Sequence, residues 1–337
     1  MKVNYRFLLG FLFITAFALQ ACGAKKDAEV AQPEVVNEPP AQPEVVHSMI
    51  PNAGPNAVAN AHDNEESTSF ESKSVSNGDI FDLNRFERPF TAGDMTYLPY
   101  VDIADISMSE DPTFYYIQIK LAGVDAETGG IKGMYGVDFD LNTDGKAEVL
   151  LLAEAPAGAQ WSTDGVSLYV DEDDNVGGQS IKPDEVYAGN GFEKMIFDSA
   201  SGDDPDTAWV HYVNTSAPIV EFALKKSVLE SVPQFMWSAM ASSTTIDPAR
   251  LYYNDSFSLA RAGSPQKGDQ YYPLNELAGF DNTCRLPAGF VATGAEPLGC
   301  VVGGPGGGGD EGPASVGNSG GTFIKVNQSI ICAIIQC

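Results

Sequence analysis

YGVDFDLNTDGKAEVLLL, residues 135–152, reads as a strand, a tight acidic turn and a second strand, and the rest of the chain repeats that rhythm. Inside the turn, oxygen-bearing side chains recur at every second residue: Asp140, Asn142 and Asp144, followed by Gly145 and then Glu148. A hard cation such as Ca2+ takes about six to eight oxygens at roughly 2.3–2.6 Å, and a short arc of this kind supplies them while glycine permits the sharp turn. The expected ligand set is Asp140, Asn142, Asp144, Lys146 and Glu148, with Ca2+ as the cofactor. Asn, Asp and Gly are also the residues that turns prefer, so a metal-free acidic hairpin is the competing reading.

Working outward, closely spaced apolar and aromatic runs separated by turn signals fill the chain from about residue 78. The expected strands are MTYLPYVDIADISMS, FYYIQIKLAG, MYGVDFDL, AEVLLLAEA, VSLYVDED, EKMIFDSA, TAWVHYVN, PIVEFALKK, QFMWSAMA and RLYYNDSFSL. In FYYIQIKLA the period of two puts Tyr115, Ile117, Ile119 and Leu121 on one face. A helical turn is expected only around Ser227 to Glu230. This spacing predicts an all-β chain folded as a jelly-roll-like antiparallel β-sandwich, with a disordered N-terminal stalk and a Gly-rich C-terminal linker.

At the N-terminus, Lys2 and Arg6 precede an apolar run from Phe7 to Leu19, and Leu19-Gln20-Ala21-Cys22 follows at once. The run is too short for a membrane span and has the layout of a secretory signal, residues 1–21. Its ending resembles the bacterial lipobox, which implies lipidation of Cys22 and export to the cell envelope, held at the cell surface or outer membrane by the lipid. Losing Lys2 and Arg6 with the signal moves the formal charge from −27 to −29. Such an excess repels phosphates, so no nucleic-acid partner is expected.

Residues 22–76 are rich in Pro, Glu, Asn, Ala and Ser, and AQPEVV occurs twice, from Ala31 and from Ala41. Such a segment buries too little apolar surface to order itself, so it is expected to be a stalk, with His47 and His62 in it playing no ligand role. The sandwich is expected over 77–280, a disulfide-closed loop over 281–302, a Gly-rich linker over 303–321 and a tail without assigned role over 322–337.

Besides Cys22, the cysteines are Cys284, Cys300, Cys332 and Cys337. Export to an oxidising compartment predicts two bridges among these four, and the shortest loops pair Cys284 with Cys300 and Cys332 with Cys337.

Two resemblances add to this reading. DLNTDGKAEV resembles the calcium loops of dockerins and of the integrin-type repeats of β-propellers, although Glu148 stands ninth rather than twelfth as in an EF-hand, and strands flank the site. PIVEFALKKSVLESVPQFMWSAMASS resembles the strand, helical turn and strand of family 9 carbohydrate-binding modules and DOMON-like sandwiches, in the spacing of Glu221, Ala223, Ser227 and Leu229, with Lys225 where that family often has proline. The resemblance implies a jelly-roll-like sandwich and does not by itself carry function.

A second acidic turn alternates Asp171, Asp173 and Asn175 and is a weaker cation candidate without a distal Glu. A third run, with Asp203, Asp204 and Asp206, has no usable period and reads as a solvated loop. Sugars stack on exposed aromatic faces, and the candidates are Trp161 in the polar loop GAQWSTDG, Tyr116 and Tyr253. Trp237 belongs to a core strand, and His211, alternating with Trp209 and Val213, reads as structural. GNSGG at 317–321 resembles a protease nucleophile loop but lacks the histidine setting, so no catalytic constellation is identified. The expected function is a calcium-stabilised extracytoplasmic binding module for glycan, or else a structural lipoprotein that holds an envelope protein.

Overall fold

The computed structural model describes residues 45–52, 59–62, 85–176, 190–214, 216–230, 232–251 and 259–300. The strands in chain order are β1 (Ala59–His62), β2 (Glu87–Arg88), β3 (Ile103–Glu110), β4 (Phe114–Leu121), β5 (Met134–Asp140), β6 (Val149–Glu154), β7 (Val166–Val170), β8 (Lys194–Asp198), β9 (Ala208–Val213), β10 (Ile219–Lys225), β11 (Phe235–Ser242), β12 (Phe280–Asn282) and β13 (Leu286–Ala288). They form two antiparallel sheets. The smaller has the order β1-β3-β4-β10-β9; the larger has β2-β12-β11-β5-β6-β7-β8, with β13 following β12 along the same edge of β11.

Alternation decides which side chains meet between the sheets. In β4, Ile117, Ile119 and Leu121 are fully buried inward and Tyr115 packs against the same core. Opposite them lie Tyr135, Val137 and Phe139 of β5 and Phe235, Trp237, Ala239 and Ala241 of β11. Aromatic edges lock the layers: Phe235 packs edge-on against Tyr115 at 5.3 Å and against Phe139 at 5.9 Å. Trp237 is core, as its strand position implied.

The larger sheet is covered on its outer side as well. Leu150, Leu152 and Met240 face away from the sandwich and pack with Val176, Phe192, Ile246 and Leu251 from the loops laid over them. This second layer explains why every residue of β5 and of β11 is buried. Gly136 sits at the tightest point: a Cβ there would lie 2.6 Å from Leu152 Cδ2 and 3.0 Å from the Leu151 carbonyl oxygen.

Nine of the ten expected strands appear, and Tyr252 and Tyr253 of the tenth lie outside the described residues. The expected helical turn is a 3-10 helix at Lys226–Leu229, and one short α-helix, Leu259–Ala262, was not anticipated. Two boundaries shift. Of the loop expected over 281–302, the described residues up to Cys300 are not a separate loop, because β12 and β13 complete the edge of the larger sheet and the Cys284–Cys300 bridge forms with Cα atoms 5.0 Å apart. Within the segment read as stalk, β1 pairs with β3 through Ala59–Met108 to His62–Asp105. Upstream of it, His47, Ser48 and Met49 are held by Asp206. Cys22, Cys332, Cys337 and the linker lie outside the described residues.

Gly136→Ala is expected to overpack the β5–β6–β11 seam. Urea denaturation should show a loss on the order of 1–3 kcal/mol with the denaturant slope unchanged.

Candidate metal centre

The turn between β5 and β6 is built by its own side chains. Asn142 Oδ1 accepts the Asp144 N–H at 2.9 Å, Asp144 Oδ1 accepts the Lys146 N–H at 2.9 Å, and Asp140 Oδ2 accepts the Gly145 N–H at 2.8 Å. Two residues take left-handed backbone, Thr143 at φ 62° and Gly145 at φ 95°. Glycine does so without cost, whereas a β-branched threonine does not, and such strain is concentrated where a loop is held for a purpose.

The turn gathers oxygens. One oxygen each from Asp140, Asp144 and Glu148 lie within 4.8 Å of one another, a spacing that fits oxygens around one hard cation. Asp140 is fully buried, yet among the described residues its Oδ1 has no hydrogen-bond partner, and neither has the buried Oε1 of Glu148. Buried carboxylate oxygens are costly without a donor or an ion. Glu148 Oε2 is used by the Leu141 N–H at 2.5 Å. Burial dominates both groups: it pushes the Asp140 carboxyl up to about 6 against the pull of Arg285, and that of Glu148 up to about 7. Asn142 and Asp144 are exposed at the rim. Lys146 can contribute only its carbonyl, since its ammonium donates to the Asp174 carbonyl at 2.8 Å and lies 3.2 Å from that carboxylate.

A cation from elsewhere in the chain completes the environment. Asp138 and Asp140 share the outer face of β5, and the Arg285 guanidinium spans them, Nη2 to Asp138 Oδ2 and Nη1 to Asp140 Oδ2, both at 3.0 Å. Asp138 also accepts the Ser238 N–H from β11 at 3.1 Å. Arg285 is one residue that the sequence alone did not point to. It follows Cys284, and only the pairing of β13 with β11 brings it here.

The second acidic turn abuts the first. Ala147 N–H donates to the Val176 carbonyl at 3.1 Å and Asp171 N–H to the Glu148 carbonyl at 3.0 Å. Asp171 is a turn organiser whose carboxylate accepts N–H groups of Asp173, Asn175 and Val176. The missing distal acid is Glu193, which lies with Asp171 and Asp173 in one group of oxygens. A third group, Glu87, Asp102 and Asp281, is entirely buried; Asp102 accepts the Tyr97 hydroxyl and Asp281 the Ile103 N–H. None of the three was anticipated as a site residue, because they come from three separated segments with no local period.

The aromatic expectations need correction. Tyr116 is buried and donates its hydroxyl to Asp111 Oδ2 at 2.8 Å, so it offers no face to a ligand. Trp161 is half-buried, its ring 4.1 Å from that of His211 and 6.1 Å from Tyr116. His211 is held at Nε2 by Glu221 Oε2, 2.6 Å away, as a structural residue. Asp206 is not solvated: it is fully buried, and its carboxylate receives His47 Nδ1 at 2.7 Å, the Ser48 and Met49 N–H groups at 2.9 Å and the Ser48 hydroxyl at 2.8 Å. The His47 ring packs on Trp209 at 4.5 Å.

No model of a known protein family, no curated protein and no solved structure matches the chain.

Asp140 and Glu148 bind protons more tightly in the folded chain than in the unfolded one, whose carboxyls titrate near 3.8 and 4.5. Their contribution to the stability of the metal-free fold is therefore lost as pH rises from about 4 to about 7. In chelator, the melting temperature should fall across that window, and Glu148→Gln should remove much of the fall.

Proposed function

We propose that this chain is an exported binding module, lipid-anchored through Cys22 at the bacterial cell envelope, whose sandwich is stabilised by Ca2+ in the Asp140–Glu148 turn and whose ligand is carbohydrate. The observation that carries the calcium reading is the pair of buried oxygens, Asp140 Oδ1 and Glu148 Oε1, that lack hydrogen-bond partners among the described residues beside the Asp144 carboxylate. The ion would be held by Asp140, Asp144 and Glu148, with Asn142 and the Lys146 carbonyl at the rim. Bound there, it supplies charge compensation and cross-links the two ends of the hairpin. No reacting group is needed for that role.

Export is supported by the Cys284–Cys300 bridge, which belongs to an oxidising compartment, and by the signal that ends at Cys22. The carbohydrate reading rests on the sandwich architecture and on the half-exposed Trp161 loop between β6 and β7. A second reading, a lipoprotein that holds an envelope protein, is favoured by one observation: the segment pinned by Asp206 turns Val45, Val46, Met49 and Ile50 outward, with Val46 80% and Ile50 60% exposed.

A metal bound only by the native state stabilises it by mass action, about 2.7 kcal/mol at a hundredfold excess over Kd. Chelation should lower the melting temperature at neutral pH, and Asp144→Ala should abolish the difference between chelated and Ca2+-loaded protein. Identical melting of the wild-type chain in Ca2+ and in chelator would sink the calcium reading. Polysaccharide pull-downs that stay blank in Ca2+, with one stoichiometric protein recovered from detergent extracts, would favour the second reading.

A further inference from the structure

Arg285 stands in CRLPA, residues 284–288, and its backbone is fixed from both sides. Cys284 is bridged to Cys300, the Arg285 N–H donates to the Leu298 carbonyl at 3.0 Å, and the Arg285 carbonyl accepts the Cys300 N–H at 2.9 Å. Leu286, the next residue, pairs with Trp237 in β11. From the other flank, Arg85 Nη2 donates to the carbonyls of Leu298 and Gly299 at 2.7 and 2.9 Å. A guanidinium keeps its charge at any physiological pH, so this framework sets a permanent positive charge at one place.

Among the described residues two cations reach the acidic turn, and they are unequal. Lys146 lies 3.8 Å from the Asp144 carboxylate, but its side chain is 28% exposed and shared with Asp174, so solvent screens it. The Arg285 side chain is 3% exposed, and those of its two acids, Asp138 and Asp140, are 1% and 0% exposed. Charges this far from water act on one another with little screening. Asp140 is thereby claimed from two sides. Its Oδ2 is held by Arg285 and by the Gly145 N–H, while its buried Oδ1 has no hydrogen-bond partner among the described residues. One Asp140 oxygen lies within 4.8 Å of oxygens from Asp144 and Glu148. An ion in the turn and the guanidinium beside it would draw on one carboxylate, and their two positive charges repel.

We propose that Arg285 is the internal counter-ion of this turn: it compensates the buried acids of the calcium-free fold and, through the Asp140 carboxylate that the two cations share, lowers the affinity for Ca2+. The proposal rests on the calcium reading and adds what tunes that site. A buried acidic set without a fixed cation would need the metal in order to fold. Here Asp138 and Asp140 stay compensated without it, so the ion is exchangeable. Asp138 acts in the opposite sense to Arg285, because it draws the guanidinium toward itself and adds negative charge beside the site.

The test titrates the exported chain with Cys22→Ser, and its variants, with CaCl2 by calorimetry at neutral pH, and compares melting in Ca2+ and in chelator. Arg285→Met should melt well below the parent in chelator, recover in saturating Ca2+, and bind Ca2+ on the order of tenfold tighter. Asp138→Asn should also melt lower in chelator, yet bind Ca2+ more weakly than the parent. A fork that only holds the sheet together would lower melting in both variants without moving Kd in opposite directions. Arg88→Met is the control: it removes another buried arginine, which donates to the Ala262 carbonyl at 2.9 Å, and should lower melting equally in Ca2+ and in chelator. Arg285→Met that binds Ca2+ no tighter than the parent, or that stays unfolded in saturating Ca2+, overturns the proposal. So does an equal gain in affinity in Arg88→Met. A parent chain that neither binds Ca2+ nor melts higher in it removes the calcium reading itself, and this proposal with it.

Discussion

The fork of Arg285 across Asp138 and Asp140 is the interaction on which the larger sheet depends. All three side chains are 3% exposed or less. Charges taken that far from water are costly unless each is paired and hydrogen-bonded, and removing one partner of such a set typically costs about 3–5 kcal/mol. The fork joins parts of the chain that are distant in sequence: the β5 hairpin that carries the acidic turn, β11 through Ser238, and the segment closed by Cys284–Cys300. Arg285 also leaves Asp140 half used. Its guanidinium and the Gly145 N–H take Oδ2, and Oδ1 is left to the turn.

Charge balance is the recurrent problem of a chain with 46 acids and 19 lysines and arginines. At the surface the solution is a local lysine: Lys225 for Asp204, Lys226 for Glu110, Lys194 for Glu172, each worth little because solvent screens it. Inside, the solutions are donors fixed in place. Asp206 receives four, all from residues 47–49, and these together hold its carboxyl below the ordinary value despite burial. The Asp140–Glu148 turn has donors for only part of its oxygen set, and in the proposed reading a divalent ion would supply the rest.

The Asp206 clamp also redraws the tether. A Pro- and Glu-rich stretch cannot fold alone, yet one extended segment of it lies on the domain because a buried carboxylate on the far side of the sequence accepts its backbone. That docking places His47 on Trp209, on the outer face of the smaller sheet.

Much of the architecture is legible in the chain, because strands announce themselves by apolar runs and turn residues, and the side-chain period of two assigns faces without knowledge of partners. Tyr115 to Leu121, the hairpin around Asp140–Glu148 and the Cys284–Cys300 pair belong to that legible part. So does the turn at Asp171, whose alternation is local. Arg285, Glu193, Asp206 with residues 47–49, and the Glu87–Asp102–Asp281 group do not, because their meaning lies in which strand edges adjoin, and pairing between distant segments leaves no period in the sequence. The burial of Tyr116 follows from the same cause: alternation placed it outward correctly, but only the tertiary structure laid a second layer over that face.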